Sequence, residues 1–156
     1  VLLVSRHNQP RGSCQRGRMQ RHRLIPRASY VVVRDLAGRV CVQQRAGDKH
    51  FYPGRWDLAA GGVMRPNETV PQNLSRELFE EVGVQRHFSR WQWFFFANPQ
   101  HQVWGALASV VVCPDAVSLS EEVVAIDWLP ARTALALTDA TPDTRHALSL
   151  LLSSSC

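Results

Sequence analysis

Glu77, Glu80 and Glu81 are the residues of this chain best spaced to do chemistry together. On a helix, at 100° per residue, they fall within an arc of roughly 100° on one face. Leu74, Leu78 and Val82 recur at four-residue spacing on the neighbouring face, so an apolar side can anchor that helix. Like charges packed this closely destabilise a helix unless something positive neutralises them. Carboxylate oxygens are hard ligands, and the matching counter-charge is Mg²⁺ or Mn²⁺. A merely solvated face is the plain alternative, because most acidic runs are that.

The flanking residues argue for the metal. Gly61-Gly62 precedes the acidic stretch, Glu68 lies six residues after Gly62, and Arg76 directly precedes Glu77. Gly83 follows Val82, where a left-handed helix cap is expected. From Gly62 the chain reads Gly-Val-Met-Arg-Pro-Asn-Glu, then seven residues, then Arg-Glu-Leu-Phe-Glu-Glu-Val-Gly-Val. This segment resembles the Nudix box, with every fixed position filled.

The resemblance implies a single-domain α/β Nudix fold, a mixed β-sheet sandwiched between α-helices. It implies hydrolysis of a nucleoside diphosphate linked to another group. It also implies roles for individual residues. Glu80 and Glu81 would be metal ligands, Glu77 a further ligand or the general base, and the Gly61 carbonyl a ligand from the loop. Arg76 and Glu68 would orient the cluster. The chemistry is consistent with these roles, since cleaving a phosphoanhydride spreads negative charge over oxygens that a bound cation neutralises.

The resemblance extends over nearly the whole chain. Arg-Ala-Ser-Tyr-Val-Val-Val at 27–33, Phe-Tyr-Pro-Gly-Arg-Trp-Asp at 51–57, Val-Trp-Gly-Ala at 103–106 and Glu-Glu-Val at 121–123 look like a bacterial subgroup close to isopentenyl-diphosphate isomerase. That isomerase uses a cysteine, a glutamate and histidine-held metal. Here Gly61-Gly62-Val63-Met64 stands where its cysteine belongs, Ala106-Leu107 follows Trp104-Gly105 where its acid belongs, and Ile25-Pro26-Arg27 lacks its histidine. Without those groups allylic proton transfer has no agents. Hydrolase is the expectation, an isomerase-like enzyme the alternative. A catalytically idle binding module is a third class, disfavoured by the intact set of acids.

At 156 residues, one domain spanning 1–156 is expected, with a basic segment at 1–29. That segment holds seven arginines (6, 11, 16, 18, 21, 23 and 27) and no acid, and the net charge of +5 resides there. No aromatic residues interleave those arginines, so a nucleic-acid partner is not expected; a small-molecule diphosphate is. No apolar run is long enough to span a membrane, and the opening Val1-Leu2-Leu3-Val4 is too short for a signal core. Cys14, Cys41, Cys113 and Cys156 show neither pairing nor metal spacing, which makes a cytoplasmic protein with reduced thiols the default expectation.

The elements that must position the acids can be read coarsely. Val1–Ser5 reads as a strand and 14–23 as a short helix. Strands at 29–34 and 40–44 should form a hairpin, and 56–60 a short strand running into Gly61. Thr69 should cap the acidic helix, with Pro71 in its first turn. An aromatic strand at 87–97 pairs with 103–112, 122–128 is a further strand, and Thr141 caps a C-terminal helix through 152. Trp56 and Trp104 read as core, and Trp91 and Trp93 as packing or an interface; many relatives of such a fold form homodimers. His22, His50 and His101 stand isolated and read as structural or solvated. Glu121 and Glu122 stand equally as extra ligand or base and as structural residues. Residues 44–57 and 86–104, where specificity would lie, carry no motif.

Overall fold

Successive side chains of β3 (Arg27–Arg34) enter two different cores, as the alternation of a strand requires. Tyr30 and Val32 join Val40, Val42, Leu58 and Phe94 on one face. Val31 and Val33 join Cys41 on the other. Ala147 and Leu148 of α4 (Pro142–Ser153) close the first core, and Leu74, Leu78 and Val82 of α2 (Val70–Val82) close the second. The computed structural model, which describes residues 1–154, is therefore the expected mixed sheet between helices. Cys156 lies outside the described residues.

The main sheet has the order β5 (Trp56–Asp57), β4 (Arg39–Arg45), β3, β7 (Gln102–Val111), β6 (Gln92–Ala97), and β8 (Val123–Pro130) pairs with β4. β3 and β7 run parallel from Arg27↔Trp104 to Arg34↔Val111. The other pairs are antiparallel.

The expected hairpin forms and at once opens. β3 and β4 share only the register pair Arg34↔Val40 before they part. The stretch 58–64 enters the opening and follows β3 instead: Val31 N donates to Ala60 O at 2.6 Å, and Ser29 N donates to Gly62 O at 3.0 Å. The strand expected over 56–60 is accordingly split, with Trp56–Asp57 on β4 and Ala60 on β3. The cause lies in the side chains. Asp57 is tied to Arg45 and Thr141, and Leu58 N donates to the Thr144 hydroxyl at 3.0 Å, which draws the backbone off β4.

The arginine-rich segment is folded onto the domain. β1 (Leu2–Val4) pairs with β2 (Pro10–Ser13), and α1 (Arg16–Arg21) follows. Leu2 N donates to Met64 O at 2.9 Å, and Arg27 donates to Asn8 Oδ1 at 2.8 Å. β2 and the short α3 (Ala131–Leu135) have no counterpart in the sequence reading. The aromatic strand begins only at Gln92, with Phe94 buried while Trp91, Trp93 and Phe95 are each 36% exposed. Trp56 packs against the first core as expected. Trp104 joins neither core: its ring lies beside Phe95, and its Nε1 donates to Arg6 O at 3.1 Å, pinning the N-terminal hairpin. Among the described residues no helix is long and apolar enough to cross a membrane.

Candidate active site

The acidic helix starts and stops where its caps dictate. The Thr69 hydroxyl accepts from Gln72 N at 3.3 Å while Gln72 Oε1 accepts from Thr69 N at 2.9 Å, a reciprocal capping box. Gly83 ends it at φ 73°, a left-handed conformation that suits glycine. Thr141 behaves differently from expectation at α4. It occupies the cap position without capping, because its hydroxyl donates to Asp57 Oδ1 at 2.7 Å.

Arg76 organises the box. Its Nε lies 2.7 Å from Glu68 Oε1, and its Nη1 lies 2.8 Å from Glu77 Oε1 and 3.0 Å from Glu80 Oε2. Glu68 is fixed further by Arg65 N at 2.9 Å and by Asn73 Nδ2 at 3.1 Å. Burial pushes the Glu68 carboxyl up, but the Arg76 guanidinium and these donors outweigh it and hold it below the ordinary range. Glu77 goes the other way. Its burial, with Glu80 nearby, prevails over Arg76 and raises it.

Two glycines are required in the loop wall, Gly62 to admit Glu77 and Gly61 to let the loop lie against the β3 backbone. A Cβ on Gly62 would stand 2.7 Å from the Glu77 carboxylate, and one on Gly61 would stand 1.8 Å from Ser29 O. Glu81 reaches in farthest, accepting Gly61 N–H at 3.2 Å. Burial raises the Glu81 carboxyl well above its ordinary value, and Asp57, Glu77 and Glu122 add to the rise against that single donor. The Gly62 carbonyl is committed to Ser29, whereas the Gly61 carbonyl takes no backbone donor among the described residues. Glu80 is the most open of the three, with 43% of its side chain exposed. Glu122 lies near enough to raise both Glu77 and Glu81, and its carboxylate is held by Lys49 Nζ at 2.8 Å. Among the described residues no three His, Cys, Asp or Glu side chains already converge as a metal cage; Arg76 instead holds Glu68, Glu77 and Glu80.

These residues line one end of a cleft of about 780 Å³. Its other end is built from residues the sequence reading passed over. Asn98 Nδ2 donates to the Tyr52 hydroxyl at 2.7 Å, and Tyr52 Oη lies 3.1 Å from His101 Nδ1. A phenol oxygen that accepts from Asn98 can give its own proton to Nδ1, which would leave the ring proton on Nε2. Nε2 faces Asp143 Oδ2 at 3.6 Å, and the Tyr30 hydroxyl donates to the same oxygen at 2.8 Å. Burial pushes the Asp143 carboxyl up, but the His101 and Tyr30 donors outweigh it and hold it below the usual range. His101 is thus neither isolated nor solvated. It sits between the rings of Phe51 and Phe96, whose centroids lie 5.1 and 5.5 Å away. Only the ring content of 51–52 and 94–96 could have hinted at this wall.

A Nudix-domain profile matches residues 24–151, and the chain belongs to the Nudix family. It is 34% identical over 161 residues to the uncharacterised Nudix hydrolase PA4841 of Pseudomonas aeruginosa, covering 97% of this chain and 92% of that one. A shorter match, 37% identical over 83 residues, joins 53% of this chain to 47% of an isopentenyl-diphosphate Δ-isomerase of Burkholderia multivorans. Among solved structures, the MutT protein of Methanosarcina mazei Go1 superposes with a TM-score of 0.73 at 21% identity, over 83% of this chain and 94% of that one, and so shares the fold.

Proposed function

We propose that this Nudix protein is a metal-dependent pyrophosphohydrolase, cleaving a phosphoanhydride in a nucleoside diphosphate derivative or a related diphosphate. The observation that carries the proposal is Glu81, buried beside Glu77 with one N–H donor and no salt-bridge partner among the described residues. A buried carboxylate so poorly neutralised fits a divalent cation, and hard oxygen donors suit Mg²⁺ or Mn²⁺. Glu77, Glu80, Glu81 and the Gly61 carbonyl would hold it. Bound there, it would supply charge neutralisation at the phosphate oxygens and a more acidic water.

The chain's own groups do the rest. Arg76 keeps Glu77 and Glu80 oriented, and Glu68 in turn fixes Arg76. Gly62, lacking a side chain, lets Glu77 lie against the loop. Glu77 serves as ligand or as the base that takes the proton of the attacking water. Glu122, once released from Lys49, is the other base within the same electrostatic neighbourhood.

The half-chain isomerase match motivates the second reading. Against it, no cysteine lines the cleft among the described residues. Cys41 is buried in the second core, where burial first and Glu81 second push its thiol up to about 12. The deciding experiment is a panel of nucleoside diphosphate derivatives, dinucleoside polyphosphates and isopentenyl diphosphate with Mg²⁺. Phosphate or monophosphate release from the first two supports the hydrolase. Solvent deuterium appearing in isopentenyl diphosphate, without release, overturns it.

A further inference from the structure

Charge in this chain is divided between segments. Residues 1–34 and 82–114 hold ten arginines and no acid, while the remainder holds all thirteen acids. The fold brings the two basic segments together. β3 pairs with β7, Arg23 Nη2 donates to Asn98 O at 2.8 Å, and Gln102 Nε2 donates to Arg23 O at 3.1 Å. Among the described residues none of the ten arginines forms an ion pair with an acid. Arg16 lines the cleft, where it acts on Glu122; Arg90 is exposed directly before Trp91.

Along the sequence no aromatic residue interleaves the N-terminal arginines, which argued against a nucleic-acid partner. The fold supplies the missing rings. Arg27 and Phe95 both stand opposite Trp104 in the sheet register, so the three side chains share one face, and Trp93 joins them two positions before Phe95. The Arg27 guanidinium lies 5.0 Å from the centroid of the Trp93 ring. It is held there by Asn8, through Oδ1 at 2.8 Å and the carbonyl at 2.6 Å. Centroids of Trp91 and Trp93 are 6.5 Å apart, and those of Phe95 and Trp104 are 5.5 Å apart. β6 is the last strand of the sheet, and Trp91, Trp93 and Phe95 remain exposed on it.

Three occupants can be compared on this face. A second copy of the chain would set the patch against itself, as a two-fold interface does, and bring arginines against arginines with no acid between them. A lipid bilayer would draw the rings toward hydrocarbon together with the guanidinium that lies over one of them, and burying that charge is costly. Single-stranded nucleic acid matches both features, its bases stacking on the rings and on the guanidinium while its phosphates meet the arginines. We infer that the face built from Trp91, Trp93, Phe95, Trp104 and Arg27 binds single-stranded nucleic acid. None of these five residues lines the cleft, so the inference does not rest on the diphosphate-hydrolase reading.

The test is fluorescence anisotropy of the full chain with labelled oligo-dT and oligo-U of about 20 nucleotides, in EDTA so that the cleft hydrolyses nothing. At least one of the two binds with a Kd of about 10 μM or tighter at low salt, and the logarithmic salt slope is about −2 or steeper, the release of about three counterions. Trp93→Leu weakens binding by about fivefold or more through lost stacking and leaves the salt slope unchanged, whereas Trp93→Phe restores affinity to within about threefold. Arg90→Gln reduces the slope by about 0.7. Melting curves confirm that each variant is folded. Three results overturn the inference: no binding of either strand below about 100 μM, equal binding of duplex DNA, which phosphate attraction alone explains, or undiminished binding by Trp93→Leu. Vesicles containing phosphatidylserine, or a dimer lost in Trp93→Leu, accounting for the face while both oligonucleotides stay unbound would also overturn it.

Discussion

At one end of the cleft Glu81 is buried with its charge poorly neutralised, while at the other Asp143 is half-buried, with the Tyr30 hydroxyl donating to its Oδ2 and His101 Nε2 facing the same oxygen at 3.6 Å. Both are partly enclosed carboxylates in one cavity, yet burial wins at the first and hydrogen bonding at the second. The difference shows what each end is prepared for. On the function proposed above the Glu81 end would be completed by a cation from outside, whereas the chain's own groups already supply the Asp143 carboxylate.

The largest effect that would break this contrast is on turnover. Glu81→Gln keeps the shape but removes a negative ligand, so phosphoanhydride hydrolysis should fall by several orders of magnitude. The Mg²⁺-induced rise in melting temperature should vanish with it. Glu77→Gln should cost about 10²–10⁴ in rate, as removal of a positioned base does. Full activity in Glu81→Gln, read by monophosphate release, would falsify the metal assignment.

Stability provides the next test. Arg76→Ala leaves Glu68 and Glu77, whose side chains are only 9% and 12% exposed, without their cation. Breaking a buried pair in this way costs about 3 kcal/mol, measurable by urea unfolding. Loss of less than about 1 kcal/mol, the scale of a surface pair, would mean that the network is solvated.

The pH dependence of the metal-free chain sharpens the comparison, because the two ends carry opposite signs. Glu81 is raised when folded, so its contribution is full below the ordinary value of 4.5 and is lost as pH rises through the folded value. Asp143 is lowered when folded, so its contribution is present above the ordinary value of 3.8 and is lost as pH falls. Melting curves from pH 3 to 9 should show Glu81→Gln flattening the alkaline loss and Asp143→Asn flattening the acid loss. Both substitutions flattening the same limb would erase the distinction.

The smallest expected effect concerns thiols. Cys113 is exposed and should react with a thiol reagent in the native chain, while Cys41, pushed up to about 12, should react only on unfolding. Cys113→Ser should leave turnover unchanged. A cysteine whose blockage abolishes activity would favour the isomerase.

The two ends also differ in how far the sequence discloses them. Glu68, Arg76, Glu77, Glu80 and Glu81 lie on one helix and its entry, so helical spacing and capping residues suffice to bring them together. The Tyr30–Asp143 bond spans 113 positions, and Asn98 and His101 reach back 46 and 49 to Tyr52. No local period records such pairings. The opened hairpin was hidden for a related reason. Alternation along 29–34 and 40–44 describes two strands but not that Asp57 and Leu58, tied to Arg45, Thr141 and Thr144, steer the next segment between them.

Lys49, paired with Glu122 at the cleft, is the chain's single lysine. Within residues 1–156 an amine-directed reagent therefore has one side-chain target. Coupling the chain to a sensor surface through its amines would tether it by the margin of its own cavity and mask ligand entry. A dye placed on Lys49 would for the same reason report occupancy, and attachment through Cys113 would leave the cavity open for measurement.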